Sequence, residues 1–247
     1  MCIRQTNPVS LMVLGMTYLP EHEVRAWHQH KTDGVFESCC VVAEGDEDAL
    51  YVVVRRVING QQRRYIERMH SRRFVEQADQ FFVDSGLTYR GAPTSVVSGL
   101  QHLEGKRVSI LADGGVSPPQ TVAGGRVTLE APASVVHVGL PYTTRLQTLP
   151  MSVQTQAFAQ GTQKNVNNVH LRVYASNGWE TGPTFDKMRP FRTRGMESFG
   201  SPPELVTGEQ QTLNDPSWNS DGAVCIRQTN PVSLMVLGMT LDVALGG

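Results

Sequence analysis

Three histidines lie close together near the start of the sequence: His22, His28 and His30. If the segment is extended, His28 and His30 share a strand face, because side chains alternate. Two imidazoles on one face can ligate zinc, with Glu21 or Glu23 supplying an oxygen. That is the whole basis for reading a metal-dependent hydrolase. Against it, Trp27-His28-Gln29-His30 runs into Thr32-Asp33-Gly34, a turn, and polar residues around a turn are ordinarily solvated surface. The expectation is therefore no bound metal at His22, His28 or His30.

The acidic run Glu44, Asp46, Glu47 and Asp48 raises calcium, but it lacks the twelve-residue loop with its closing bidentate Glu. It reads as a charged hairpin tip. Arg55, Arg56, Arg63, Arg64, Arg68, Arg72 and Arg73 concentrate positive charge. On paired strands they would form a basic stripe for DNA or an acidic partner. Glu67 and Glu76 interrupt it, which favours a solvated face. No GxSxG elbow, HExxH pair or GxxxxGK phosphate loop occurs, and no nucleophile comes with a base. No catalytic residue, cofactor or metal is expected, and the chain reads as a non-enzyme.

The elements that would position these residues are strands. Ser38–Ala43 precedes the acidic turn, and residues 49–58, rich in β-branched and aromatic side chains, follow it. Asn59-Gly60 then signals a type I′ hairpin, which needs positive φ at both central positions, and residues 63–69 return. Further on, short apolar runs at 97–100, 107–112, 126–129, 134–140 and 169–174 alternate with Gly, Pro and Asp turns. Their spacing of about 8–12 residues is that of a sandwich or small barrel. Residues 180–215 read as a long surface excursion, and only Phe74 to Phe82 has a case for a helix. The fold class is all-β. Its expected parts are a propeller-blade-like meander in 1–78, a small inserted β-barrel in 79–133 and a β-sandwich-like region in 134–247.

The totals exclude several function classes. With 22 basic against 23 acidic residues, a net charge of −1 gives no basic cleft for phosphates. No apolar run approaches the roughly 20 residues of a membrane span, and the first residues lack a secretory pattern. Of the four cysteines, Cys39 and Cys40 are adjacent and Cys2 and Cys225 are copies of one another, so a reduced chain is the simplest reading.

That last pair belongs to an internal copy. Residues 2–17, CIRQTNPVSLMVLGMT, recur without change at 225–240. Solenoid repeats are similar rather than identical and recur more than twice, so this copy points to a duplication, a recombination or a deliberate construction. The alternation of Leu11, Val13 and Gly15 with Met12, Leu14 and Met16 makes both faces apolar and suits a buried strand. The N-terminal copy is expected to be ordered beside the 38–69 meander.

Several strings resemble the C-terminal part of podophage tail nozzle proteins, the tail tubular protein B family. Val138-Gly139-Leu140-Pro141-Tyr142-Thr143-Thr144-Arg145 resembles a strand-to-turn segment, and Asn230-Pro231-Val232-Ser233-Leu234 with its following strand resembles the family's last strand. Leu171-Arg172-Val173-Tyr174 matches between them, the segment from Trp27 to Arg56 is similar to a final propeller blade, and 79–133 to the inserted small barrel. The resemblance covers about residues 15–247, and the family's longer platform and propeller would precede the blade where the copied strand stands here. It implies a virion structural protein made in the host cytoplasm. It further implies a homo-oligomeric ring (a hexamer in intact relatives), tail adaptor and fibre proteins as partners, and passage of DNA without specific binding. The rival reading is a receptor- or carbohydrate-binding β module. That would need an exposed aromatic groove, with only Trp27, Trp179 and Trp218 to supply tryptophan.

Overall fold

The structure is a computed structural model that describes residues 2–4, 10–152, 162–191, 194–195, 197–198, 200–215 and 217–246, with side chains from Met12 onward. Strands take up 65% of it and helical turns 4%, so the chain is all-β. The segment expected to have a helical tendency, Phe74 to Phe82, contains one 3-10 turn, Gln77–Asp79. No helix among the described residues is long and apolar enough to cross a membrane.

The first sheet is an antiparallel meander of five strands: β1 (Cys2–Arg4), β2 (Ser10–Leu19), β3 (Val24–Glu44), β4 (Glu47–Ile58) and β5 (Gln61–Arg68). The hairpin between β4 and β5 turns on Asn59 (φ 49°) and Gly60 (φ 75°), the two positive-φ positions that a type I′ turn requires. The acidic turn is tighter than its sequence suggests, since Glu44 already pairs with Glu47. β3 is long enough to serve two partners. Its first half pairs with β2 and its second with β4, with the change of partner near Phe36.

Of the N-terminal copy, the described residues lie in this sheet: β2 pairs with the first half of β3, through residues 24–31 and 36, ahead of the 38–69 meander, and β1 folds back on β2 so that Cys2 opposes Met16. Its full burial does not occur. Val13 and Gly15 face inward, while Leu14 and Met16 are only half-buried.

The second sheet contains β6 (Asp84–Ser98), β7 (Arg107–Ala112), β8 (Gly115–Thr121) and β9 (Arg126–Leu140) in the order β6-β9-β7-β8. It is not the closed barrel expected at 79–133. β6 and β9 are long, irregular strands whose register slips three times, and β6 and β8 remain separate edges. Bulges of this kind bend a sheet over its own core without closing it. Val108, Ile110, Val127, Leu129, Val136 and Val138 fill that core. The expected division after residue 133 falls inside β9, whose last residues still pair with β6 and β7.

Residues 144–245 form a sandwich. One sheet has the order β10 (Thr144–Gln147), β15 (Cys225–Gln228), β12 (Trp179–Thr184), β13 (Lys187–Pro190), and the other β14 (Val206–Leu213), β11 (Lys164–Ser176), β16 (Val236–Leu245). Val169, Leu171 and Val173 from the second sheet pack against Trp179 and Ile226 from the first. The excursion expected at 180–215 therefore supplies three strands. They were obscured because short strands between Gly and Pro carry little periodicity.

The segment between β5 and β6 ties the parts together. Gln80, 1% exposed, donates Nε2 to Gln77 O (2.8 Å) and accepts the Ser233 backbone N–H at Oε1 (2.8 Å). Gln77 Nε2 donates to Pro203 O at 2.7 Å.

Candidate functional site

The β2–β3 hairpin carries the histidines and an exposed apolar end. Register places Gly15 opposite His28 and Val13 opposite His30. The two imidazoles touch edge to face, with ring centroids 4.9 Å apart. His28 lies over the bare Cα of Gly15, where a Cβ would come within 2.3 Å of its Nε2. Burial, then the neighbouring His28 and Arg72, holds His30 below the usual imidazole range. His30 Nε2 is buried with no hydrogen-bond partner. His22 lies in the 3-10 turn Pro20–His22 at the hairpin tip. That is at least four residues, roughly 13 Å of strand, beyond His28. The structure therefore brings together two of the three histidines weighed as candidate ligands and separates the third. No group of three or more His, Cys, Asp or Glu placed to hold a metal exists among the described residues.

Around that tip the apolar side chains point outward. Tyr18 (52% exposed) and Trp27 (59%) lie on one face of the hairpin, with the Arg25 guanidinium 5.8 Å from the centre of the Tyr18 ring. Leu19 and Val24, paired opposite each other, are exposed on the other face. A strand pair that is apolar on both faces at its free end has nowhere within the sheet to bury that surface.

The arginine concentration is not a positive stripe. Glu37 takes Arg55 (2.8 Å) and Arg64 (2.6 Å), and Glu44 and Glu47 take Arg68 at 2.7 and 3.1 Å. Hydrogen bonds from Arg68, then from Tyr51, hold the Glu44 carboxyl below its ordinary range. The acidic run is thus an ion-paired flank of the sheet, with no calcium loop. Arg56 departs furthest from the solvated reading. It is 1% exposed, doubly bonded to Glu67, and it donates Nη1 to Asp33 O at 2.7 Å.

Two concave surfaces among the described residues bear on ligand binding. A groove of about 680 Å³ runs between the β4–β5 hairpin and the turns of the second sheet, lined by Gln61, Arg63, Tyr65, Gln101, His102 and Glu104. Its aromatic content is Tyr65, whose ring centroid is 6.2 Å from that of His102. Trp179 is buried against Phe191 in the sandwich, and neither Trp27 nor Trp218 lines the groove.

The second, of about 350 Å³, is lined by His70, Arg73, Phe74, Asp79, Thr88, Arg90 and His137 among others. His137 Nε2 lies 2.9 Å from Ala78 O and must donate to it, so Nδ1 accepts from Thr88 Oγ1 at 2.8 Å. Burial holds its pKa below the ordinary value. A hydroxyl beside an oriented, neutral imidazole has the parts of a weak nucleophile–base pair. However, Thr88 and His137 are direct cross-strand partners, and such pairs hydrogen-bond routinely for stability. The sequence signal for it was a lone histidine in the apolar run 135–140. No protein-family model matches the chain, and no curated protein matches it.

Proposed function

We propose that the chain is a structural component of a bacteriophage tail, nozzle-like, that assembles side to side with copies of itself and with tail adaptor and fibre proteins. The observation that supports assembly is the hairpin end, where Tyr18, Leu19, Val24 and Trp27 expose apolar surface on both faces. Such an arm suits insertion between neighbouring subunits, and a ring of heterologous contacts uses one. The tail itself rests on the resemblance of 138–145, 171–174 and 230–234 to nozzle proteins. In that setting the ring, a hexamer in the intact relatives, lets DNA pass without gripping it. Arginines neutralised by Glu37, Glu44, Glu47 and Glu67 suit that role. The rival reading, sugar or receptor binding in the Tyr65–His102 groove, has one aromatic residue besides the imidazole to stack on a ligand.

Sedimentation velocity and negative-stain imaging of the purified protein test the proposal. Ring-shaped or higher oligomers that dissociate in Trp27→Asp are expected. A monomer at every accessible concentration, unchanged by that substitution, overturns it.

A further inference from the structure

The two copies of CIRQTNPVSLMVLGMT occupy different structures: the CIRQ stretch is an inner strand in the C-terminal copy, whereas its counterpart β1 lies at the edge of the first sheet. In the C-terminal copy, Cys225–Gln228 is an inner strand between β10 and β12. Arg227 Nε meets Glu180 Oε2 at 2.5 Å and Nη1 donates to Phe185 O at 3.1 Å. Gln228 Nε2 donates to Asn177 O at 2.6 Å. The Met235 N–H reaches Ser176 Oγ at 2.7 Å, and Val236 then starts the pairing along β11. The N-terminal copy repeats each of these residues: Arg4 for Arg227, Gln5 for Gln228, Met12 for Met235 and Val13 for Val236. Where it now lies, β1 has β2 as its one partner.

We propose that the slot between β10 and β12, continued along β11, is a docking site for the N-terminal copy of a second molecule of this protein, entered by strand exchange. Identical side chains make identical contacts there, so recognition through residue 240 is already specified. The resident copy holds an advantage past that point. Leu241 and Val243 pack into the sandwich core, and Val243 pairs with Val166. The N-terminal copy continues with Tyr18-Leu19-Pro20, which puts a proline, lacking an N–H, at the Val243 position. Exchange therefore appears when the resident copy is weakened.

The reach is sufficient. β3 stays anchored to β4 from Val35 onward. The 18 steps of chain from Thr17 to Val35 span up to roughly 60 Å when extended.

Cross-linking in the full chain tests this. Gln147 opposes Cys225 across β10 and β15. A chain carrying C39S, C40S, C225S and Q147C keeps two thiols, Cys2 and the one at 147. Ile226→Ala loosens the resident copy, and Ile226→Val serves if the alanine variant fails to fold. On oxidation, a disulfide between residue 2 of one chain and residue 147 of another is expected, seen in mixed light and heavy isotope-labelled protein. Adding Ile3→Asp should lower it about tenfold or more, because a carboxylate would be buried in the slot. No cross-link, a cross-link within one chain only, or one indifferent to Ile3→Asp overturns the proposal. A monomer in the sedimentation test with this cross-link present would separate failure of the tail reading from failure of strand exchange.

Discussion

The Arg56 guanidinium and the Glu67 carboxylate meet through two parallel hydrogen bonds, Nε to Oε1 at 2.9 Å and Nη2 to Oε2 at 2.7 Å. They lie on one face of β4 and β5, and the pair is the junction between the first sheet and the second. Ser85 Oγ donates to Glu67 at 2.8 Å. Asp84 stands 3.4 Å from Arg56, and Thr32 donates to Asp84 at 2.6 Å. Removing Glu67 leaves the buried Arg56 charge with only the longer Asp84 contact to offset it. Glu67→Ala is expected to cost roughly 3–5 kcal/mol in urea unfolding. The double variant R56M/E67M should cost clearly less than the sum of its parts. Additive losses would show that the two groups act independently.

Gly15 and Gly238 are the same residue of the repeat in two surroundings. An added Cβ at Gly15 would strike the His28 imidazole, whereas nothing lies within 4 Å of one at Gly238. Gly15→Ala should therefore lower the melting temperature and move the His28 ring resonances. Gly238→Ala should be neutral or stabilising by about 0.4–1 kcal/mol, through the unfolded chain. Equal effects would contradict the two placements.

Burial holds His137 and His30 below the ordinary imidazole pKa of 6.5. Below pH 6.5 the unfolded chain binds protons that the folded chain does not. This stability contribution is complete above 6.5 and lost as pH falls through the lowered values. Asp84, raised chiefly by burial despite Arg56, works in the opposite sense nearer the ordinary aspartate value of 3.8. Thermal melts should thus show stability dropping as pH falls below 6.5, with a shallower slope in His137→Gln. A slope unchanged by that substitution would remove His137 from the account.

Zinc offered to the protein and then dialysed against a chelator should leave no stoichiometric metal. His28 and His30 supply two ligands and His22 is held at the far tip. Retained zinc that disappears in His30→Ala would refute this.

Local signals in the sequence were reliable where they were strong. Asn59-Gly60 specified its hairpin because few residue pairs accept two positive φ angles. Partners distant along the chain were not legible. Arg56 read as solvated because Asp33, Glu67 and Asp84 gather around it only in the fold. The copied segment read as the same strand in both places, apolar on both faces and suited to burial. In fact Ser10–Met12 lies within a strand, while the identical Ser233–Met235 does not. A bulge between Arg172 and Val173 then shifts Met239 into the core. The same side chains take different conformations because packing, not propensity, decides.

The order of the sandwich strands has a consequence for synthesis. β15 is an inner strand, yet it and β16 leave the ribosome after every other strand of that sandwich. Until they emerge, β10, β12 and β11 present unpaired backbone, and the hydrogen bond from Ser233 to Gln80 that ties the β5–β6 segment to the sandwich does not exist. Throughout that interval the nascent chain already carries, at its leading end, a segment matching the missing one residue for residue. Under the proposed exchange, maturation of this protein is a race between two copies of one sequence for a single vacancy, and the copy made last must win it.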